Sequence, residues 1–179
     1  FRFALKLPRR ITHTLRLRDA GEDLTSFVRA TEALGDRRGP LLVQLPPSLA
    51  FEAGVAERFL AALRRLAPGP DALEPRHATW FTEQATSLLA AYRVARVAAD
   101  PPRAPGDGAP AGSAELAYFR LHGTPRIYYS DYDEAALELW AGRIAAARSA
   151  AGEVWCIFDN TAAGLATGNA LTMRRLLER

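Results

Sequence analysis

Short runs of apolar residues alternate with longer stretches in which apolar residues recur at helical spacing, and the alternation repeats six times. This is the pattern of an α/β chain built on a parallel sheet. Phe1 to Leu7 predicts the first strand. A helix follows from about Glu22 to Leu34, where Leu24, Phe27, Val28, Thr31 and Leu34 share one face and Gly35 and Gly39 supply the stop. Pro40 to Leu45 is apolar on both faces, as a buried parallel strand should be, and Pro46-Pro47 halts it. The next helix runs from about Val55 to Leu66 and ends at Pro68-Gly69. A strand at Ala72 to Arg76, a helix at Thr82 to Tyr92 and a strand at Val94 to Ala99 come after it.

Residues 101 to 113, rich in Pro, Gly and Ala, predict a long loop, the segment expected to be most mobile. Leu116 to Leu121 predicts the fifth strand. Asp133 to Ala150 is the clearest helix, with Asp131 or Asp133 as N-cap and Leu137, Trp140, Ile144 and Ala147 on one stripe. Glu153 to Phe158 is the sixth strand, and Gly168 to Leu177 lies in a closing helix. A closed (β/α)8 barrel needs about eight such units. The expectation is therefore a TIM barrel whose first two units lie outside these 179 residues, forming a single domain. The alternative is an open, doubly wound six-stranded sheet.

Composition narrows the function classes. Of the 23 basic side chains only Lys6 is not Arg, a bias that accompanies abundant Ala, Gly and Pro and reads as genome base composition. The net charge of +3 is then only weak support for a polyanionic partner. One cysteine, Cys156, allows neither a disulfide within the chain nor an all-cysteine zinc site, and fits a reducing, cytoplasmic setting. No apolar run approaches the ~20 residues of a membrane span.

In α/β sheets of either kind, ligands bind at the C-terminal ends of the strands. The polar residues there are Lys6; Gln44 with Ser48; Glu74, Arg76 and His77; Asp100; Arg120 and His122; and Asp159 with Asn160. His13 follows the first strand. Side chains two apart in a strand share a face, so Glu74 projects with Arg76, and Arg120 with His122. Each has a plainer reading. Glu74 and Arg76 suit a structural ion pair as well as a ligand contact, Lys6 suits a solvated strand end, His13 a local turn, and Asp159-Asn160 a chain reversal. Gly123 after His122 would let backbone approach a ligand closely. Trp80, Trp140, Trp155, Tyr128 and Tyr129 read as packing residues. Glu, His and Asp at several strand ends are ligand types for a divalent metal, but no short ligand motif is present. No nucleotide-cofactor motif is found either: Gly164-Leu-Ala-Thr-Gly168 lacks the lysine of a P-loop.

Five segments in order carry a resemblance across almost the whole chain: Phe3-Ala4-Leu5-Lys6-Leu7-Pro8 with Ile11-Thr12-His13; Gln44-Leu45-Pro46-Pro47-Ser48; Glu74-Pro75-Arg76-His77-Ala78-Thr79-Trp80; Tyr118-Phe119-Arg120-Leu121-His122-Gly123; and Phe158-Asp159-Asn160 with Gly164, Ala166, Asn169 and Ala170. Together they resemble the YecE-like proteins, domain of unknown function family 72. The resemblance implies a TIM barrel and names no reaction. This chain has Asp159 where the family often has Asn.

The leading expectation is an enzyme acting on an anionic or phosphorylated small molecule, with hydrolysis as the candidate reaction. Glu74, His122 and Lys6 are its candidate catalytic residues, and His13, Gln44, Arg76, His77, Arg120, Asp159 and Asn160 its candidate substrate contacts. A nucleic-acid-binding or metal-dependent nucleic-acid-processing barrel is the second reading, and a non-catalytic binding or scaffold protein the third.

Overall fold

A computed structural model describes residues 1–179. Every predicted strand and helix is present. The strands are β1 (Phe3–Lys6), β2 (Arg38–Gln44), β3 (Asp71–Glu74), β4 (Val94–Arg96), β5 (Ala98–Asp100), β6 (Ala111–Gly112), β7 (Leu116–Leu121) and β8 (Glu153–Phe158). The helices are α1 (Gly21–Thr31), α2 (Ala53–Leu66), α3 (Glu83–Ala91), α4 (Glu134–Ala150) and α5 (Leu165–Leu177).

The strands form a five-stranded sheet in the order β1-β2-β3-β4-β6 and a three-stranded sheet in the order β5-β7-β8. All pairings are parallel except that of β6 with β4. The predicted fourth strand is divided between the sheets. Val97 still donates its N–H to Leu73 on β3, at 2.9 Å, whereas Ala98 pairs with Phe119 on β7. Six parallel strands therefore stand side by side in chain order. β1 borders only β2 and β8 only β7, so no closed ring forms. The sequential order lacks the reversal that defines a doubly wound sheet.

Alternation along the strands explains why one face carries helices and the other does not. Leu41, Val43, Leu45 and Leu73 point to α1, α2 and α3 in a cluster of 21 buried residues. Ala117, Phe119 and Leu121 point to α4 and α5 in a second. Leu42, Ala72, Ala95, Val97, Leu116 and Tyr118 point the other way and meet one another across the two sheets, with Ala4, Trp155 and Ile157 against them and no helix involved. The polar residues at the next positions on this inner face are those that build the site. Gly39 is required by that face: a Cβ there would stand 2.7 Å from the Trp155 ring and 2.9 Å from the Phe3 carbonyl oxygen.

Local chemistry sets the helix ends. Asp133, rather than Asp131, caps α4, accepting from Ala136 N–H at 2.8 Å, and Thr82 caps α3 through Ala85 N–H. The helix predicted to Leu34 ends at Thr31 and tightens into 3-10 turns over Glu32–Arg37, broken at Gly35 with φ 50°. The stretch expected to be a mobile loop is pinned. Ala111 and Gly112 pair with β4, and Asp107, fully buried, accepts Arg103 N–H at 2.7 Å on its carboxylate and Ala99 N–H at 3.0 Å on its carbonyl.

At the opposite, N-terminal end of the strands, Asp71 is buried, accepting Leu41 N–H at 2.9 Å with Arg64 at 3.6 Å. Burial pushes its carboxyl up to about 6, against the opposing pull of the Leu41 hydrogen bond and of Arg64. No helix is long and apolar enough to cross a membrane.

Candidate functional site

Gln44, Glu74, Arg120 and Asp159 occupy the C-terminal ends of β2, β3, β7 and β8 on the inner face, and register aligns them: Gln44 pairs with Glu74, and Arg120 with Ile157 just before Asp159. Glu74 is fully buried. Gln44 Nε2 donates to its two oxygens at 3.0 and 3.2 Å. Arg76 Nε donates to Oε1 at 3.1 Å, and Arg120 Nη1 donates to Oε2. Arg120 Nη2 reaches across to Asp159 Oδ2 at 2.7 Å.

His122, also fully buried, completes the network, with Nδ1 2.9 Å from Asp159 Oδ2 and Nε2 3.7 Å from Glu74 Oε1. An ionised carboxylate only accepts hydrogen bonds, so Nδ1 must carry the proton toward Asp159. Nε2 faces a second carboxylate, which favours a proton there too. Burial lowers the affinity of His122 for its proton, but the bonds to Asp159 and Glu74 overturn this and leave its pKa raised. Glu74 shows the converse balance. Burial alone would raise it, and His122 and Arg120, with Arg76 behind them, hold it well below the usual carboxylate range. Asp159 is lowered in the same way, burial being outweighed by His122 and Arg120.

Around this paired interior stand cations without partners. Lys6, Arg9 and Arg103 are exposed, and none has a carboxylate at ion-pairing distance. Arg76 Nη2 is buried and makes no hydrogen bond, although it lies 3.1 Å from Glu74 Oε1. His13, half-buried with Nδ1 2.8 Å from Thr12 Oγ1, has a lowered pKa. Burial is the largest cause, followed by the charges of Arg9, Arg76 and Lys6. His13 thus reports a positive local field at the mouth.

Other residues of the sequence-derived roster have structural partners. Asn160 is buried, donating to Asn169 at 2.7 Å and to the Ser130 carbonyl at 3.0 Å, and anchors α5 to the 130–132 segment. His77 Nδ1 lies 2.9 Å from Thr79 Oγ1 and caps the turn Ala78–Trp80. Asp100 accepts from Tyr132 at 2.6 Å and Thr124 at 2.8 Å, and Ser48 accepts from Arg16. Gly123 makes its close approach to protein rather than to open space: with φ 95°, an added Cβ would sit 2.9 Å from the Ser130 carbonyl oxygen.

Trp80 and Trp140 pack in the core, but the tyrosine pair does not. Tyr129 is 48% exposed under Arg126, whose guanidinium carbon lies 3.9 Å from the ring centroid. Tyr128, 39% exposed and with φ 71°, sets its ring edge-on to His122 at 5.8 Å and closes that side from solvent. A bulky residue rarely adopts such a φ, and strain of this kind clusters at functional sites. Arg103 and Asp107 gave no sequence signal, since one Arg among 22 and one Asp in a Pro/Gly loop stand out only when the loop is placed, and Tyr128 had read as a packing residue. No group of three His, Cys, Asp or Glu side chains is arranged to hold a metal ion. Burial pushes the Cys156 thiol up to about 12, so it is no nucleophile at neutral pH.

The sequence profile described as "Protein of unknown function DUF72" matches residues 1–179. The fold is similar to the crystal structure of a DUF72 family protein from Thermotoga maritima MSB8, with TM-score 0.86 and 28% identity over 100% of this chain and 74% of that one. It is also similar to a DUF72 family protein from Enterococcus faecalis V583, with TM-score 0.82 and 21% identity over 100% of this chain and 75% of that one. A second structure of a DUF72 family protein from the same organism gives TM-score 0.81 and 23% identity, covering 100% and 79%. No curated protein matches the chain.

Proposed function

The chain belongs to the DUF72 family, and from that premise we propose that it is an enzyme acting on anionic, phosphorylated small molecules at the C-terminal ends of its parallel strands, in an arc of a (β/α)8 barrel. Strands in chain order, helices on one face only and an inner cluster made of strand residues alone support the barrel reading.

One observation carries the functional reading. The unpartnered cations Lys6, Arg9 and Arg103 stand around a network whose own charges, Arg76 included, are already paired, and within which Arg76 Nη2 makes no hydrogen bond. Gathering like charges in a partly desolvated mouth costs stability, and an incoming anion removes that cost. Glu74 and His122 are positioning residues in this reading. They are fully buried, and their role is to hold Arg76 and Arg120 in place. Gln44 and Asp159 complete the same support.

Proton transfer falls to His13, which burial first and then the neighbouring cations keep neutral, and whose Nε2 has no partner. In ester hydrolysis, the water oxygen bonds to phosphorus as the ester P–O bond breaks, the water's proton goes to His13 Nε2, and the departing alkoxide takes up a proton from solvent. Lys6 and Arg76 neutralise the charge that develops on the phosphoryl oxygens.

A panel of small phosphate monoesters tests this. Turnover should fall about 10²-fold in His13→Gln, the scale of one lost general base, and KM should rise in Lys6→Ala, with melting temperatures unchanged in both. A panel neither bound nor hydrolysed by the native protein would reject the reading. Binding that instead weakens as a steep power of salt concentration would point to a nucleic-acid backbone.

A further inference from the structure

The 101–113 loop follows β5, where regular β/α repetition would place a helix, yet a fully buried carboxylate is invested in holding it. Asp107 bonds Arg103 N–H at 2.7 Å, its own N–H bonds the Ala104 carbonyl at 3.0 Å, its carbonyl takes Ala99 N–H from β5 at 3.0 Å, and Arg96 reaches the Gly106 carbonyl at 3.4 Å. A loop that only had to connect β5 to β7 would need none of these. Their common result is that the backbone of Arg103, four residues from Asp107, is held just beyond the C-terminal end of β5, while its exposed guanidinium bonds to nothing in the chain.

We propose that Arg103 is the anion receptor of this mouth, contacting the substrate's phosphate together with Arg76 and selecting for that group. The proposal rests on the anion reading above and deepens it by naming the receptor. Arg103 stands close enough to Arg76, Glu74 and Tyr128 to feel their charges. Burial first, and then the like charge of Arg76, make its cationic state less favourable, so that a ligand anion between the two guanidinium groups relieves the repulsion. A planar guanidinium offers paired donors matched to phosphate geometry. The selectivity follows from this match: a dianionic phosphate satisfies both forks, whereas a halide or a neutral alcohol satisfies neither.

Calorimetric titration of the full chain with inorganic phosphate reads this directly. Arg103→Ala should weaken phosphate binding about tenfold, the factor carried by one charge-assisted hydrogen bond, without lowering the melting temperature. Arg103→Lys should recover charge but only part of the affinity. Arg29→Ala, a cation lost from the exposed face of α1, should bind as the native protein does. Native-like binding by Arg103→Ala overturns the receptor assignment. If Lys6→Ala still weakens binding in that case, the mouth reading survives without Arg103. If the native protein binds no phosphate, both fall.

Discussion

Glu74→Gln should be among the most damaging single substitutions in this protein, lowering stability by about 3–5 kcal/mol, the cost of leaving buried cations without their counter-charge. For a chain of this length that is a fall in melting temperature of about 10 °C. The reason lies in how many groups depend on one carboxylate: Arg76, Arg120 and Gln44 donate to it, and His122 faces it, all at 15% side-chain exposure or less among the charged members. The isosteric amide keeps the volume and removes the charge, so cavity formation cannot account for the loss. Thermal unfolding of the two proteins side by side is the check, and equal melting points would mean that the arginines are solvated rather than held.

Glu74, Asp159 and His122 together should hold stability on a plateau between about pH 4.5 and 6.5, with losses on both sides. Glu74 and Asp159 have folded pKa values below their unfolded ones. Their contribution is present above the unfolded value, 4.5 for Glu74, and is lost as pH falls through the depressed folded value. His122 has a raised folded pKa, so its contribution is full below 6.5 and is lost as pH climbs through the folded value. Asp71 tilts that plateau downward from its acid side. Its displacement from 3.8 to about 6 is worth about 3 kcal/mol, fully present below 3.8 and lost as pH rises from there through about 6, where the buried carboxyl ionises. Asp71→Asn should therefore flatten the slope between about pH 4 and 6 while leaving the His122 loss above 6.5 unchanged. An unaltered slope below pH 6 in that variant would mean that burial does not hold the Asp71 carboxyl protonated.

Much of this was legible in the sequence because period carries topology. Runs such as Pro40–Leu45 and Leu116–Leu121 are apolar on both faces, which parallel burial requires, and the two-residue spacing of Arg120 and His122 put both on the inner face where they are found. The convergence of Glu74, Arg76, Arg120, His122 and Asp159 followed from strand ends alone. What was not legible depends on contacts between distant segments. Nothing local distinguishes Asn160, which ties α5 to Asn169 and Ser130, from Asp159 beside it, which bonds Arg120 and His122. The division of the fourth strand at Val97 arises because its two halves pair with different neighbours. Tyr128 looked like packing, since its left-handed backbone is imposed by bonds from its N–H to His122 and from Ala162 to its carbonyl.

These partitions give the site an inner layer that is ion-paired and buried, and an outer layer whose cations are unsatisfied. Crystals of the full chain soaked in phosphate test that division most directly. The account predicts one phosphate at the exposed edge of the Arg76 guanidinium, between Lys6 and Arg103, with Glu74 and His122 unmoved. Phosphate found only at arginines elsewhere on the surface, with the mouth holding solvent alone, would contradict it.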